Sequence, residues 1–477
     1  MYSLINIWHG QTLSVASSHA LDEFGAQVVV DAEFQNYSEG FTYELVVCDP
    51  QGQEVYSCRR FCEEPERREY ICISNPQLWN PLGYGKQSLY ILRIQIGTQV
   101  YEQQFGIRMV RILEQPDEPG TTNYNLCLAL RDTASGKEYD FNEHFSSFVL
   151  VVNHRRILCK GANWAPCEPF VSEVTNEKQT RILELVAAAG INMIRIWGGG
   201  MFEGEEMWRY HTQSNPELLK ELFDYQLLFA KGLLGDFNDG ADRLFKLQYL
   251  QYEWIRTSFE MMRRNMWFSS GILYWMLADC WPAASGWALI DYYCMPKAAY
   301  YSFKRCAKDL VASITKVAEE CILHLCNNTR DDYLGQLSIR VFDYGMQGNN
   351  FEAAYEQVLE NVHIKGECVT SLSLPFVPDK QQILICDMVA DNHKDRAFYK
   401  NGNLELMACN DVKIVNRTED SITLKSDCYV HAVGLEGNYI FEDNYFSLLP
   451  GEERTVSLSL MSELENSDIL IKAYSLV

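Results

Sequence analysis

The alternation of apolar and polar residues predicts β-strands along the first part of the chain, up to about residue 113. Runs such as AQVVVDAEFQN, FTYELVVCD and QSLYILRIQIG have the length and composition of sandwich strands. The turn-forming stretches DPQG and NPLGYG separate these runs, and no long helical period lies between them. The pattern therefore predicts an immunoglobulin-like β-sandwich over residues 1–113.

The periodicity changes between residues 114 and 310, where helical and strand patterns follow each other. Thr175 can cap a helix in TNEKQTRILELVAAAG, whose apolar residues recur at helical spacing and which Gly190 ends. The apolar run INMIRIW predicts a fully buried strand after it, which gives a β-α-β unit typical of a parallel sheet. The same reasoning predicts a helix over 244–265, a buried strand over 271–281 and a helix over 296–310.

Residues 311–477 return to a strand pattern and predict one or two further β-sandwiches. LSIRVFDYG, QQILICDMV and RTVSLSLM are typical strand sequences, and the pattern restarts near Cys409 in LELMACNDVKIVNRTEDSITL. We therefore expect a β-sandwich over 311–408 and an immunoglobulin-like sandwich over 409–477. The predicted fold class is multidomain, combining β and α/β structure.

Charge and hydropathy exclude two classes of partner. The 477 residues are 47% hydrophobic and can bury a large core, while 64 acidic and 41 basic residues give a net charge of −23. A chain this acidic repels phosphate backbones, so we expect no nucleic-acid partner. No apolar run approaches the ~18 residues of a membrane-spanning helix, and no basic block suits anionic lipid, so we expect no membrane partner.

The N-terminus and the cysteines indicate the compartment. MYSLINIWHGQTLSVASSHA lacks the charged segment and apolar core of an export signal, so the expected location is cytoplasmic. The sixteen cysteines show no CxxC pair and are expected to be reduced thiols. His154 and His211 have no Cys or acidic partner at metal-ligand spacing, so we expect no metal and no other cofactor.

Four long motifs resemble glycoside hydrolase family 2, in the wording of its β-mannosidase branch. LWNPLGYGKQSLYILRIQI is similar to the second domain of that family, and VVNHRRILCKGANWAPCEPF and NMIRIWGGGMFE to the first two strands of its TIM barrel. GILYWMLADCWPAASGWALIDYYCMPKAAYYSFKR resembles the last barrel strand and helix, and YIFEDNYFSLLPGEE the closing sandwich. The resemblance implies a partial TIM barrel over residues 114–310, retaining hydrolysis of terminal non-reducing β-D-mannose residues, and a β-mannoside or related oligosaccharide as ligand.

The chain is expected to lack two pieces of the family pattern, namely a jelly-roll domain before the first sandwich and the central part of the barrel. A TIM barrel needs eight strand-helix units in about 250 residues. Only residues 198–243, 46 in all, separate Trp197 from Leu244. One β-α-β unit needs about 30 residues, so five strands do not fit there. The segment HTQSNPELLKELFDYQLLFAKGLLGDFNDG predicts one helix and a loop instead.

This gap removes the expected catalytic groups. Retaining glycosidases use two carboxyl groups ~5–5.5 Å apart, which the family carries in an Asn-Glu pair after strand four and a Glu-Phe-Gly-like setting after strand seven. The pair at residues 142–143 precedes a strand and the pair at 176–177 opens a helix, while Asp236 lies in the polar loop GDFNDG. We therefore expect no catalytic residues and an inactive chain. Two functions stay open for the chain. One is a functioning glycosidase, and the other is a non-catalytic remnant that either binds carbohydrate or is inert.

The remaining candidates stand at the C-terminal ends of predicted barrel strands, where TIM barrels bind substrate. Indole rings pack on sugar faces, and Arg, Asn or Asp side chains hydrogen-bond to hydroxyls. The resemblance places Arg195, Trp197 and Trp275 in a mannose subsite, with Glu203 as support and Ala278 where the family has Asn. The alternative is that the tryptophans are core residues. The complete set of substrate-binding candidates is Asn163, Trp164, Arg195, Trp197, Glu203, Trp275 and Asp279.

An incomplete barrel also has consequences for assembly. Three strands cannot close a barrel, and their outer edges would present unpaired backbone groups. Helices that cover a closed barrel would expose apolar faces as well. We therefore expect either a partly collapsed middle domain or a homodimer formed through the incomplete barrel.

Overall fold

The computed structural model describes residues 12–17, 25–33, 40–63, 66–121, 124–125, 128, 146–168, 173–196, 216–282, 286–345, 353–374, 376–461 and 468–477. The chain is mostly β-structure with few helices, and it divides into two compact units, residues 1–159 and 160–477. No helix in the described ranges is both long and apolar enough to cross a membrane. The division into four domains stays a prediction.

Two sheets around one core account for most of the first unit. Their strands are Thr12–Ser17 (β1), Ala26–Glu33 (β2), Phe41–Cys48 (β3), Glu54–Cys62 (β4), Glu66–Ile73 (β5), Tyr90–Ile96 (β6) and Gln99–Phe105 (β7). The sheets have the orders β1-β2-β5 and β4-β3-β6-β7. Val28 and Ile71 of one sheet share a buried cluster with Leu45 and Leu92 of the other. This is the two-layer arrangement that the sequence predicts for this part of the chain.

A smaller sheet follows, with the order β10-β9-β8. Its strands are Val110–Pro116 (β8), Ser146–Val152 (β9) and Arg155–Ile157 (β10). β9 and β10 form a hairpin whose turn carries Asn153 and His154 at positive φ. The Asn153 side chain accepts a hydrogen bond from the Met109 backbone N–H at 3.0 Å, which ties the turn to the start of β8.

The predicted β-α-β unit is present. Strand Cys159–Trp164 (β11) is followed by helix Asn176–Ala188 (α1) and by strand Met193–Ile196 (β12), and β11 and β12 pair in parallel. Thr175 caps α1 by accepting a hydrogen bond from the Lys178 backbone N–H at 3.2 Å, as predicted. Strand Gly271–Tyr274 (β13) completes a sheet of order β12-β11-β13.

Two strand predictions in this region are wrong in extent. β12 is not fully buried, because in the described part of the chain it is an edge strand, and Ile196 is 53% exposed. The predicted strand over 271–281 ends at Tyr274, and its later backbone groups bond outside a regular ladder, to Asn163 of β11 and to Ile290. The N–H of Leu277 donates to Asn163 O at 2.8 Å, and that of Asp279 donates to Ile290 O at 3.0 Å.

In the described part of the chain, three further helices follow α1, namely Pro216–Leu234 (α2), Gly240–Arg264 (α3) and Ala298–Cys306 (α4). The described residues 216–239 contain one helix and a loop and no strand, as predicted, while residues 198–215 lie outside the described part. α3 begins after Asp239, whose side chain accepts a hydrogen bond from the Asp242 backbone N–H at 2.8 Å. The predicted helices over 244–265 and 296–310 correspond to α3 and α4.

The remaining strands form two pairs of sheets. The first pair, with orders β14-β15-β18 and β17-β16-β19-β20, surrounds one apolar core. Its strands are Leu310–Val317 (β14), Glu320–Asn327 (β15), Tyr333–Asp343 (β16), Tyr355–Ile364 (β17), Cys368–Leu374 (β18), Gln382–Ala390 (β19) and His393–Lys400 (β20).

The second pair of sheets has the orders β21-β28-β24-β26 and β22-β23-β27-β25. Its strands are Leu406–Cys409 (β21), Val412–Arg417 (β22), Ser421–Ser426 (β23), Val430–Glu436 (β24), Tyr439–Phe441 (β25), Phe446–Leu448 (β26), Glu453–Leu460 (β27) and Leu470–Leu476 (β28).

α3 connects these layers through its two ends. Near its start, Phe245 stacks on Tyr474 of β28 with ring centroids 4.0 Å apart. Near its end, the Arg263 side chain is fully buried and donates to Asn328 Oδ1 at 2.6 Å, to Asp309 O at 2.8 Å and to Cys326 O at 3.2 Å. The guanidinium there donates to three acceptors at once, so the contact is strongly specified.

The described cysteines are all free thiols, and most of them are buried. Burial raises the pKa of Cys159, Cys280 and Cys326, each to about 11. Cys72 is the exposed exception among the cysteines in the described ranges.

Replacement of Arg263 by alanine is expected to destabilise the second unit by about 3 kcal/mol or more, because it leaves a void and removes a charged donor from three acceptors. Arg243→Ala, on the exposed side of the same helix, is the matched control and is expected to change stability by less than about 0.5 kcal/mol. Urea denaturation followed by far-ultraviolet circular dichroism measures both. Equal losses in the two variants would contradict this role of Arg263.

Candidate functional site

The ends of β11, β12 and β13 bring several of the predicted residues together. Asn163 and Trp164 are the last two residues of β11, and Asn163 lies directly opposite Arg195 in the parallel pair. Trp275 follows the last residue of β13. Gly161 allows this close approach, since a Cβ there would stand 2.3 Å from Leu273 Cδ2.

The Asn163 amide joins all three strand ends. Its Oδ1 accepts from Arg195 Nη1 at 2.8 Å, while its Nδ2 donates to Leu273 O at 3.3 Å and to Tyr274 O at 3.2 Å. Because both ends of this buried amide are used within the protein, Asn163 positions its neighbours. Arg195 is exposed, and a guanidinium has five N–H donors, so this arginine can bind a ligand while it contacts Asn163.

The described indoles at this edge differ in exposure. Trp275 is 41% exposed and can offer ring surface to a ligand. Trp164 is half-buried, and its indole Nε1 is a buried donor without a hydrogen-bond partner in the described part of the chain. A buried donor in this state suits an acceptor supplied by a ligand or by water. Trp197 and Glu203 lie outside the described residues.

Helix α3 holds β13 in place through the side chain of Gln251. Gln251 Nε2 donates to Tyr274 Oη at 2.9 Å and to Trp287 O at 2.5 Å. The Tyr274 hydroxyl donates to the same Trp287 carbonyl at 2.5 Å. The strand that precedes Trp275 is therefore fixed to the helix and to the loop that follows.

Asp279 is buried, and its carboxylate pairs with Lys297. Lys297 Nζ lies 2.5 Å from Asp279 Oδ2 and also donates to Gly286 O at 3.2 Å. A Cβ at position 286 would stand 2.6 Å from Asp279 Oδ1, so the loop can close over the carboxylate only with glycine there. Burial raises the pKa of Asp279, and the neighbouring Lys297 ammonium opposes this effect.

A second buried carboxylate, Glu168, was not among the predicted residues. Lys178 Nζ of α1 lies 2.7 Å from Glu168 Oε1, and the Tyr292 hydroxyl donates to Glu168 Oε2 at 2.9 Å. Lys178 Nζ also stands 3.5 Å from the centroid of the Tyr292 ring. The signal available in the sequence is an acidic residue four positions after Trp164, just past the end of a predicted barrel strand.

Two of the other acidic residues considered in the sequence analysis, Asp236 and Glu177, lie in the described part of the chain. The Asp236 side chain is 90% exposed, pairs with Lys231 at 3.2 Å and lies in the loop between α2 and α3. Glu177 is exposed in the first turn of α1. Asn142, Glu143 and His211 lie outside the described residues. Within the described ranges, no group of three or more His, Cys, Asp or Glu side chains is placed to share a metal ion.

Two family models match separate parts of the chain. A family model described as glycosyl hydrolases family 2 matches residues 13–108. A mannosidase model described as an Ig-fold domain matches residues 410–476.

The curated relatives similar to this chain include β-mannosidases. β-Mannosidase B of Emericella nidulans is 25% identical over 209 residues, which are 43% of this chain and 21% of that protein. A probable β-mannosidase of Caenorhabditis elegans is 29% identical over 148 residues, 31% of this chain and 14% of that protein. The matched part thus spans about a fifth or less of the length of these relatives.

Solved structures share the fold. The β-D-mannosidase of Dictyoglomus thermophilum superposes with a TM-score of 0.71 at 17% identity, covering 100% of this chain and 77% of that chain. The exo-chitosanase of Amycolatopsis orientalis gives a TM-score of 0.65 at 13% identity, covering 98% of this chain and 78% of that chain. At these identities the likeness concerns the fold alone.

Lys297→Met is expected to destabilise the fold by about 3–5 kcal/mol near neutral pH, because it leaves the Asp279 carboxylate buried without its partner. Without Lys297 the folded-state pKa of Asp279 lies above its unfolded value, so the unfolded chain releases the proton first. Stability of the variant relative to wild type then falls as pH rises and is regained as pH is lowered. Denaturation at several pH values measures this trend.

The double variant Asp279→Asn, Lys297→Met is the control and is expected to lose less stability than the single variant, with no such pH trend. A single variant whose loss is independent of pH would count against the buried pair.

Proposed function

Because the chain is a β-mannosidase-like chain of glycoside hydrolase family 2, we propose that the edge of its three-stranded sheet binds a terminal β-D-mannose residue without hydrolysing the glycoside. The arrangement of Asn163, Arg195 and Trp275 supports the binding part of this proposal. A fixed guanidinium beside an exposed indole matches a sugar, which offers hydroxyls for hydrogen bonds and an apolar face for the ring.

The state of the carboxylates supports the second part. A retaining mechanism needs two free carboxyl groups facing each other ~5–5.5 Å apart. In the described part of the chain, Asp279 and Glu168 are each buried against a lysine, and Asp236 points into solvent. The roles proposed for these residues are structural, so none of the three would act as a nucleophile toward bound sugar.

We further propose that β12-β11-β13 is the remainder of an incomplete TIM barrel. The supporting observations are a sheet of three described strands and the single helix and loop over residues 216–239. The apolar residues Ile196, Leu228 and Phe229 are 53%, 66% and 55% exposed, which favours a homodimer formed through this region. A reducing, cytoplasmic location is likewise proposed, supported by the free state of the described cysteines.

A hydrolytic enzyme is the second candidate. The names of the fungal and nematode relatives favour it, since both are β-mannosidases or probable β-mannosidases. On this alternative the chain would release terminal β-mannose from oligosaccharides.

Trp275→Ala and Arg195→Ala are each expected to weaken binding of methyl β-D-mannoside about tenfold, because each removes one of the two sugar contacts. Trp281→Ala is the matched control, since Trp281 is 47% exposed in the same segment and is not part of the proposed contact. Isothermal titration calorimetry gives the dissociation constants. A control variant that weakens binding as much as Trp275→Ala would refute the assignment.

Purified protein is expected to release no p-nitrophenol from p-nitrophenyl β-D-mannoside above the uncatalysed rate. An Asp236→Asn variant tests the one acidic residue whose motif resembles the family's nucleophile setting. Turnover by the wild type that disappears in this variant would replace the binding proposal with the hydrolytic one.

A further inference from the structure

A cavity of about 640 Å³ lies in the second unit, and none of its lining residues belongs to the three-stranded sheet β12-β11-β13. Its walls come from α3, α4, β14, β19, β20, β24, β26 and β27 and the turns beside them. Tyr249, Arg256, Arg396, His431 and Tyr445 are the lining residues that decide its chemistry. The volume is that of a small-molecule site, which is commonly ~300–1,000 Å³.

The charges in the cavity wall are largely paired with each other. Arg256 Nη1 lies 2.8 Å from Glu260 Oε1. Arg396 lies 2.5 Å from Asp387 Oδ1 and 2.8 Å from Glu452 Oε2. A charged ligand would have to break one of these pairs and leave its partner exposed to a poorly solvated wall. The wall therefore favours a neutral ligand.

Two polar groups in the wall stay available for hydrogen bonding. His431 is 2% exposed, its Nδ1 lies 2.8 Å from the Tyr429 hydroxyl, and its Nε2 has no hydrogen-bond partner within the described ranges. Burial lowers the pKa of His431 to about 3, so the imidazole is neutral. The half-buried Tyr445 lines the same cavity, and its phenolic hydroxyl can both donate and accept a hydrogen bond.

Aromatic rings form the other component of the wall. The Phe398 ring lies 4.8 Å from His431 in an edge-on arrangement, and Arg256 Cζ stands 4.4 Å from the centroid of the same ring. Tyr249 lies 5.9 Å from His431, also edge-on. Rings beside neutral donors and acceptors suit a ligand that carries both apolar C–H surface and hydroxyl groups.

We propose that this cavity is a second carbohydrate site, which binds a neutral mono- or disaccharide through His431 Nε2 and the Tyr445 hydroxyl. It is independent of the function proposed for the barrel sheet, because the two share no residue. The site would give the chain a way to bind a glycan whether or not the sheet edge also does so.

The test uses the full chain carrying Arg195→Ala and Trp275→Ala, so that the proposed contacts at the sheet edge are absent. Titration calorimetry with β-1,4-mannobiose and with cellobiose is expected to show saturable binding of at least one of the two. Tyr445→Phe removes only the hydroxyl and is expected to raise the dissociation constant about fivefold. His431→Leu is expected to raise it about tenfold or more, because it leaves the hydroxyl of the sugar without a partner.

Tyr225→Phe is the matched control, since Tyr225 is 60% exposed on α2 and does not line the cavity. Thermal unfolding of each variant checks that the fold is retained, and Tyr445→Phe keeps the ring in place. Absence of heat up to about 10 mM of both disaccharides would overturn the proposal. The proposal would also be overturned if binding were unchanged in both cavity variants. Displacement of the saccharide by inorganic phosphate would overturn it too.

Discussion

The buried guanidinium of Arg263 is the constraint on which the second unit depends. A charge taken out of water must be solvated by the protein itself, so Asp309, Cys326 and Asn328 have to converge on one point at the end of α3. The other end of the same helix is fixed by the stack of Phe245 on Tyr474. Because its ends are fixed to the two different pairs of sheets, α3 acts as a rigid spacer between them, and its middle contacts the three-stranded sheet through Gln251.

The candidate site takes its geometry from this spacer. Gln251, midway along α3, bonds to the Tyr274 hydroxyl and to the Trp287 carbonyl, and so determines where β13 ends. The Asn163 amide of β11 then bonds to the end of β13 on one side and to Arg195 on the other. The two groups proposed to touch sugar, Arg195 and Trp275, thus lie on the surface of a hydrogen-bonded frame whose other members are internal. Such a frame fixes the arrangement of the side chains at its surface.

Much of this part of the fold could be predicted from local signals. The Thr175 cap and the apolar run around Ile194 are short-range features, and both appear as α1 and as a parallel partner of β11. The end of β13 could not be predicted, because residues after Tyr274 are as apolar as a strand but make single backbone bonds, to Asn163 of β11 and to Ile290, in place of a regular ladder. Glu168 and the cavity at His431 were missed for a related reason: their partners lie far away in sequence, so no local pattern indicates them.

The free thiols determine where the protein can be oxidised by air. Alkylation, sulfenic acid formation and disulfide exchange all start from the thiolate, and the raised pKa values of Cys159, Cys280 and Cys326 keep those sulfurs protonated. Their burial also blocks approach of an oxidant. Among the described cysteines Cys72 alone is exposed, so it is the natural point for a covalent label, and also the first through which two molecules would become crosslinked during storage.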